Sequence, residues 1–129
     1  METRGRADGI RLAFRSSFYE SSVAHDGQGS VLVSRVIKNR RDLGCNFIDM
    51  VALQPGTSIG PHSHGGRDAE MYIIIEGEGE MLMGSERLKV SSGDVLINPP
   101  HGTHGLSNLG DRLLRLVVID LPVEASDEN

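Results

Sequence analysis

The chain has no tryptophan, and its aromatics amount to only 4% of 129 residues. That scarcity excludes a ligand pocket built on aromatic stacking. A single cysteine, Cys45, rules out an intramolecular disulfide. Set between Gly44 and the strand-like NFIDMVAL, it reads as a small buried apolar residue rather than a reactive thiol. No apolar run approaches the ~20 residues of a membrane helix. The opening METRGRADG lacks the apolar core of a signal peptide. The expectation is a cytoplasmic protein with no membrane partner. The formal net charge is −5, with no basic stripe to neutralise phosphates, so nucleic acid is not an expected partner. The one basic run, Lys38-Asn39-Arg40-Arg41, reads as a solvated loop.

What the chain does have is punctuation. It carries 16 glycines, and its 5 prolines stand in turn-like contexts. Between them lie short apolar segments: SVLVSRVI (30–37), CNFIDMVAL (45–53), then HSH, EMYIIIEG, GEMLMG, ERLKV, DVLINPP, THGLSN and LLRLVVIDL. The later ones recur at roughly ten-residue spacing, the mark of an antiparallel sandwich or barrel. No long window has helical periodicity. The predicted fold class is therefore all-β. One domain is expected over 10–122, with a flexible N-terminus at 1–9 and a disordered acidic tail at 123–129. Segment 10–19 reads as a short strand or an irregular arm. His25, in the turn HDGQG, fits no ligand spacing and reads as a surface residue.

The chemistry concentrates in GPHSHGGRDAEMYIIIEGEGE, residues 60–80. Side chains alternate along a strand, so His62 and His64 share a face, their Cα atoms ~6.6 Å apart. Two imidazoles at that separation can converge on one ion with bonds of ~2 Å. Glu70, Tyr72 and Ile74 share one face of the following strand; Met71, Ile73 and Ile75 share the other. Some forty residues on, GDVLINPPHGTHGLSN supplies His104 at the start of a strand that can run beside the first histidine strand. Pro99-Pro100 blocks further ladder bonding just before it. Three imidazoles and one carboxylate make a mixed N/O site for one divalent transition metal. Fe, Mn, Ni, Co, Cu and Zn all fit, and the ligand set alone does not choose among them. The pairs Met81/Met83 and Val95/Ile97 read as core.

These motifs resemble those of the cupins, small β-barrels of jelly-roll type. The first cupin motif runs Gly, five residues, His-x-His, three or four residues, Glu, six residues, Gly. Here it is Gly56, five residues, His62-Ser63-His64, five residues, Glu70, six residues, Gly77. The second runs Gly, five residues, Pro-x-Gly, two residues, His, three residues, Asn. Here it is Gly93, five residues, Pro99-Pro100-His101, two residues, His104, three residues, Asn108. The resemblance implies a metal inside the barrel, held by His62, His64, Glu70 and His104, with positions open for water, substrate or dioxygen. There are two departures. The gap before Glu70 is one residue longer than usual, so Asp68 is an alternative ligand, although it is expected in the turn. His101 stands where the family commonly has Gly, as a fifth ligand, a rim acid–base group, or a residue without a role.

The function this implies is a small metalloenzyme acting on a small polar metabolite. Either a redox metal supports dioxygenase-type chemistry, or a Lewis acid supports isomerisation, cyclisation or elimination. Glu70 would be a general base, and Tyr72 or His101 would move protons. A non-enzymatic module that binds a small ligand is the alternative of a different class, and a metal-free sugar epimerase is weaker. A homodimer is expected, with 10–19 and 30–37 pairing across a two-fold axis.

Overall fold

The structure is a computed structural model that describes residues 9–124. The flexible segment expected at 1–8 and the tail at 125–129 lie outside the described residues. Ten strands follow in order: β1 (Glu20–Ser22), β2 (Val31–Arg40), β3 (Cys45–Leu53), β4 (Ser58–Ser63), β5 (Asp68–Glu76), β6 (Glu78–Met83), β7 (Glu86–Ser91), β8 (Val95–Asn98), β9 (Thr103–Ser107) and β10 (Leu114–Pro122). They form two antiparallel sheets, one of six strands in the order β1-β2-β3-β10-β5-β8 and one of four in the order β4-β9-β6-β7. Order 3-10-5-8 beside 4-9-6-7 is the jelly-roll arrangement expected from the spacing of the short strands. Among the described residues, no helix is long and apolar enough to cross a membrane.

Alternation decides the burial. On β5, Glu70, Tyr72 and Ile74 are buried, while Ile75 and Glu76 are exposed. On β10, Leu114, Leu116, Val118 and Asp120 are buried. The ladders align these positions into rows that cross the large sheet. One row is Val51–Leu116–Ile74, the next Asp49–Val118–Tyr72–Leu96, and the next Phe47–Asp120–Glu70–Asn98. The core fills the end nearer the first row, with Leu53, Met81, Leu106 and Leu114 at 0–1% exposure. Each such side chain contributes about 1.5–3 kcal/mol through burial. Cys45 is buried, as its neighbours suggested.

Three readings differ from the sequence expectation, the first being the core places given to Val95 and Ile97, which are 55% and 51% exposed. Segment 10–19 takes the second of its two expected forms, an irregular arm with one 3₁₀ turn, Phe14–Ser16, tied down by Ser17 Oγ donating to Ala13 O. The strand β1 follows it and pairs with residues 31–33 of β2, so the intermolecular pairing expected of 10–19 and 30–37 finds that edge already taken there. The basic run 38–41 is not all loop, because β2 continues through Arg40 before the 3₁₀ turn Arg41–Leu43. Asp68 is not in the turn either but opens β5.

Candidate metal centre

Strands β4 and β9 are neighbours, and His62 lies directly opposite His104 in their ladder. A bulge makes this possible. Ile59 pairs with Leu106, and His62 with His104, so β4 carries one extra residue across Gly60-Pro61. Without it, Ile59 and His62 would face opposite sides; with it, both turn inward. Pro61 has no N–H to give the ladder, which suits the bulge. His64 follows just beyond the end of β4. Glu70 comes from the other sheet.

The four side chains His62, His64, Glu70 and His104 bring one donor atom each to a single locus, all within 4.8 Å of one another. Glu70 Oε1 is 3.1 Å from His64 Nε2 and 3.1 Å from His104 Nε2. Donor atoms this close together could be drawn onto one ion by small side-chain adjustments. The tautomers agree with this. His62 Nδ1 donates to Gly60 O at 2.9 Å, which leaves Nε2 as the free acceptor. His64 Nδ1 lies 3.2 Å from Asp68 Oδ2, on the side of the ring away from the other imidazoles. His64 Nε2 is buried without a hydrogen-bond partner in the protein. The donor set therefore fits a divalent transition metal.

Electrostatics favours the binding forms. Burial pushes the His62 imidazole down to about 4, so it is neutral at ordinary pH. Burial acts to raise Glu70, but its hydrogen bond to His104 and the imidazoles around it outweigh that and hold it below the usual carboxylate range. Burial, then the charges of Glu70 and Asp49, raise Tyr72, so its phenol keeps its proton. Behind His64, Asp68 lies beside Asp120, whose Oδ1 accepts from Asn46 Nδ2 at 2.8 Å. Burial, then the neighbouring Asp68 carboxyl, push Asp120 up to about 7.

The geometry separates the two candidate carboxylates: Glu70 joins the three histidines, and Asp68 sits on the far side of His64 in a second cluster with Asp120. Tyr72 lies in the cavity wall with its ring 5.6 Å from that of His104. His101 is outside the cluster. It is exposed, in the left-handed region at φ 67°, with its N–H donating to His64 O at 3.1 Å. Its Nε2 is 2.8 Å from where a Cβ on Gly66 would be. That φ explains the glycine common in the family at this position.

Sequence reading missed the other wall. His25 is exposed in its turn and outside the ligand cluster, as read, but it also contacts a ligand. Its ring stacks on His62 with centroids 3.5 Å apart and planes within 6°. Its loop can approach because two glycines meet there: a Cβ on Gly60 would lie 2.0 Å from His25 O, and one on Gly27 2.2 Å from Ser58 O. Nothing in the spacing signals this. Arg35 and Asp49 also line the cavity, which has a volume of about 300 Å³. Asp49 and Asp120 did carry a signal. Each holds a core-facing parity in an otherwise apolar strand.

A cupin-domain family model matches residues 49–120, more than half of the chain. The chain is a cupin. This cupin is 27% identical over 94 residues to the oxalate-binding protein of Thermotoga maritima, covering 72% of this chain and 77% of that one. An uncharacterised protein of Methanocaldococcus jannaschii is 34% identical over 53 residues, 41% of this chain and 42% of its own length. Among solved structures, a predicted oxalate decarboxylase from Thermotoga maritima superposes with a TM-score of 0.83 at 22% identity, covering 88% of this cupin and 100% of that chain. That likeness carries the jelly-roll fold.

Proposed function

We propose that this cupin is a metal-dependent enzyme acting on a small polar metabolite. One divalent transition ion, Fe, Mn, Ni, Cu, Co or Zn, would be held by His62, His64, Glu70 and His104. The observation that carries the reading is the convergence of three imidazoles and one carboxylate, of which His62, His64 and Glu70 line the cavity. A redox-active ion supplies electron transfer between substrate and dioxygen there, and a redox-inert one supplies Lewis acidity. The proposed chemistry is of dioxygenase type, on the strength of the three-histidine, one-glutamate set. Glu70 is ionised across the neutral range and serves as general base. Tyr72, held protonated, donates a hydrogen bond into the cavity. His101, exposed on the loop before β9, is the proposed rim group that exchanges protons with water.

The name of the Thermotoga maritima relative, an oxalate-binding protein, supports a second reading. In it the same site binds a small acid without turnover, or acts on it as a Lewis acid without dioxygen. The proposed macromolecular partner is a second copy of the chain. Ile75, Val95 and Ile97 stand 44%, 55% and 51% exposed on β5 and β8, an apolar surface such a partner would cover.

The test is metal content by elemental mass spectrometry on protein made without an affinity tag, followed by oxygen uptake with candidate acids. About one ion per chain is expected for the native protein, lost in His62→Ala and His104→Ala. A folded native protein that stays empty after reconstitution would end the metalloenzyme reading. Saturable acid binding without oxygen uptake would favour the second.

A further inference from the structure

The bulge on β4 holds more than one imidazole in place. Gly60 O accepts from His62 Nδ1 at 2.9 Å. Gly60 N donates to Ala24 O at 3.0 Å, and Gly27 N donates to the same carbonyl at 3.0 Å. Ser58 N donates to Gln28 O at 2.9 Å, and Gln28 N donates to Ser58 Oγ at 2.8 Å. Ala24 also forms a parallel bridge with Ile59. Residues 24–28 are thus bonded along residues 58–60 at both ends, and His25 stands between the fixed points.

The turn itself runs against backbone preference. His25 and Asp26 hold φ of 51° and 58°, and neither is glycine. Such a conformation persists where the surrounding contacts over-determine it. What it presents is the His25 ring. That ring stands apart from the hydrophobic core, and the residue is exposed, so its burial contributes little stability. Its face lies on His62, with centroids 3.5 Å apart and planes within 6°. Both residues line the cavity, together with His64 and Glu70. His25 is not among the converging donors, and the parallel stack brings its face, not a nitrogen, to His62.

His62 needs such a neighbour. It is half-buried, whereas His104 is 1% exposed. The bond from Nδ1 to Gly60 O fixes the tautomer and one point of the ring. It leaves the soft torsion of the imidazole to be fixed by something else. A flat ring on its face does that, and the two contacts together set the direction of the free Nε2.

We propose that His25 is a positioning residue of the metal centre. Its ring clamps the plane of His62, so the docked loop 24–28 sets how ready the four donors are for an ion. The clamp requires a flat ring and no nitrogen. This rests on the metal-centre reading above for the ion, but the clamp itself belongs to the protein without metal.

The experiment compares native protein with His25→Asn and His25→Phe. Asparagine tolerates positive φ and removes the ring, whereas phenylalanine keeps a flat ring without a nitrogen. Zn²⁺ affinity is measured by competition with a chromophoric chelator. Proton–nitrogen NMR spectra of the metal-free protein follow the His62 imidazole, with the Gly27 and Gly60 amides reporting whether the loop stays docked. His25→Asn is expected to bind Zn²⁺ about tenfold more weakly, and to move the His62 ring signals as the stack is lost. His25→Phe is expected to return the affinity to within about threefold of native protein. Native affinity in His25→Asn overturns the proposal, whether or not the loop stays docked. A loss that His25→Phe does not restore overturns it as well. If native protein takes up no Zn²⁺, the metal-centre reading fails by itself. The metal-free spectra then decide the clamp, and His62 signals that His25→Asn leaves unmoved would overturn it.

Discussion

Two asparagines are buried in this barrel, and they live in opposite ways. Asn108, at the apolar end, spends its whole amide. Its Nδ2 donates to Leu53 O at 2.8 Å and Arg112 O at 2.7 Å, and its Oδ1 accepts from Gly110 N at 3.0 Å. Asn98, opposite Glu70 at the polar end, is 2% exposed, yet neither Nδ2 nor Oδ1 has a protein partner. The contrast extends to its surroundings. The buried side-chain atoms without partners among the described residues belong to His64, Asn98, His104 and Asp120, all at this end. A satisfied buried polar group fixes structure; a set of unsatisfied ones, gathered around one locus, marks where the fold gives up stability for chemistry.

The comparison breaks most sharply at the asparagines themselves. Asn108→Ala strips the buried Leu53 carbonyl, the Arg112 carbonyl and the Gly110 N–H of their side-chain partner, and it is expected to lower unfolding free energy by about 2 kcal/mol. Asn98→Leu, similar in volume and losing no protein hydrogen bond, should change it by less than about 1 kcal/mol. Urea unfolding of both variants checks the pair. Equal losses would mean that the two ends are not different in kind.

A smaller effect sharpens the polar end. Asp68→Asn keeps the size of the side chain but removes the charge 3.2 Å from His64 Nδ1. Metal affinity is expected to fall about 10- to 100-fold with the fold intact. Competition with a chromophoric chelator measures it. An unchanged affinity would remove Asp68 from the orientation of His64.

The smallest effect is in the pH dependence of the metal-free protein. His62 is depressed to about 4, so the unfolded chain binds its proton first. Its stabilising share is full above ~6.5 and is lost as pH falls towards 4. Asp120 is raised to about 7, so the folded chain holds that proton more tightly. Its share is full below ~3.9 and is lost as pH rises through 7. The two slopes oppose each other between pH 4 and 6.5. Asp120→Asn removes one of them, and the variant should lose stability on acidification more steeply than native protein. Urea midpoints across pH 4 to 8 report it, and parallel curves would count against the raised Asp120.

Much of this was legible in the chain. Strand β3 lies where CNFIDMVAL put it, and the parity of Glu70, Tyr72 and Ile74 holds. Spacing made His62, His64, Glu70 and His104 plausible neighbours and their match to the cupin motifs singled them out; the structure brings the four side chains together. What stayed hidden depends on register and approach. The bulge at Gly60-Pro61 flips a parity that simple counting would assign otherwise. The stacking of His25 needs a loop docked from elsewhere in the chain, which no local pattern encodes.

Gly27 and Gly60 constrain how this sequence can be inherited. Every other amino acid adds at least one carbon where the opposing backbone already lies 2.0 to 2.2 Å away. No base change that alters either amino acid is compatible with this docking, whereas Gly9 and Gly65 face open space within 4 Å. The wall that carries His25 can therefore drift in its exposed residues but not at its two points of attachment. Descendants of this sequence would keep the cavity's width while its lining changes.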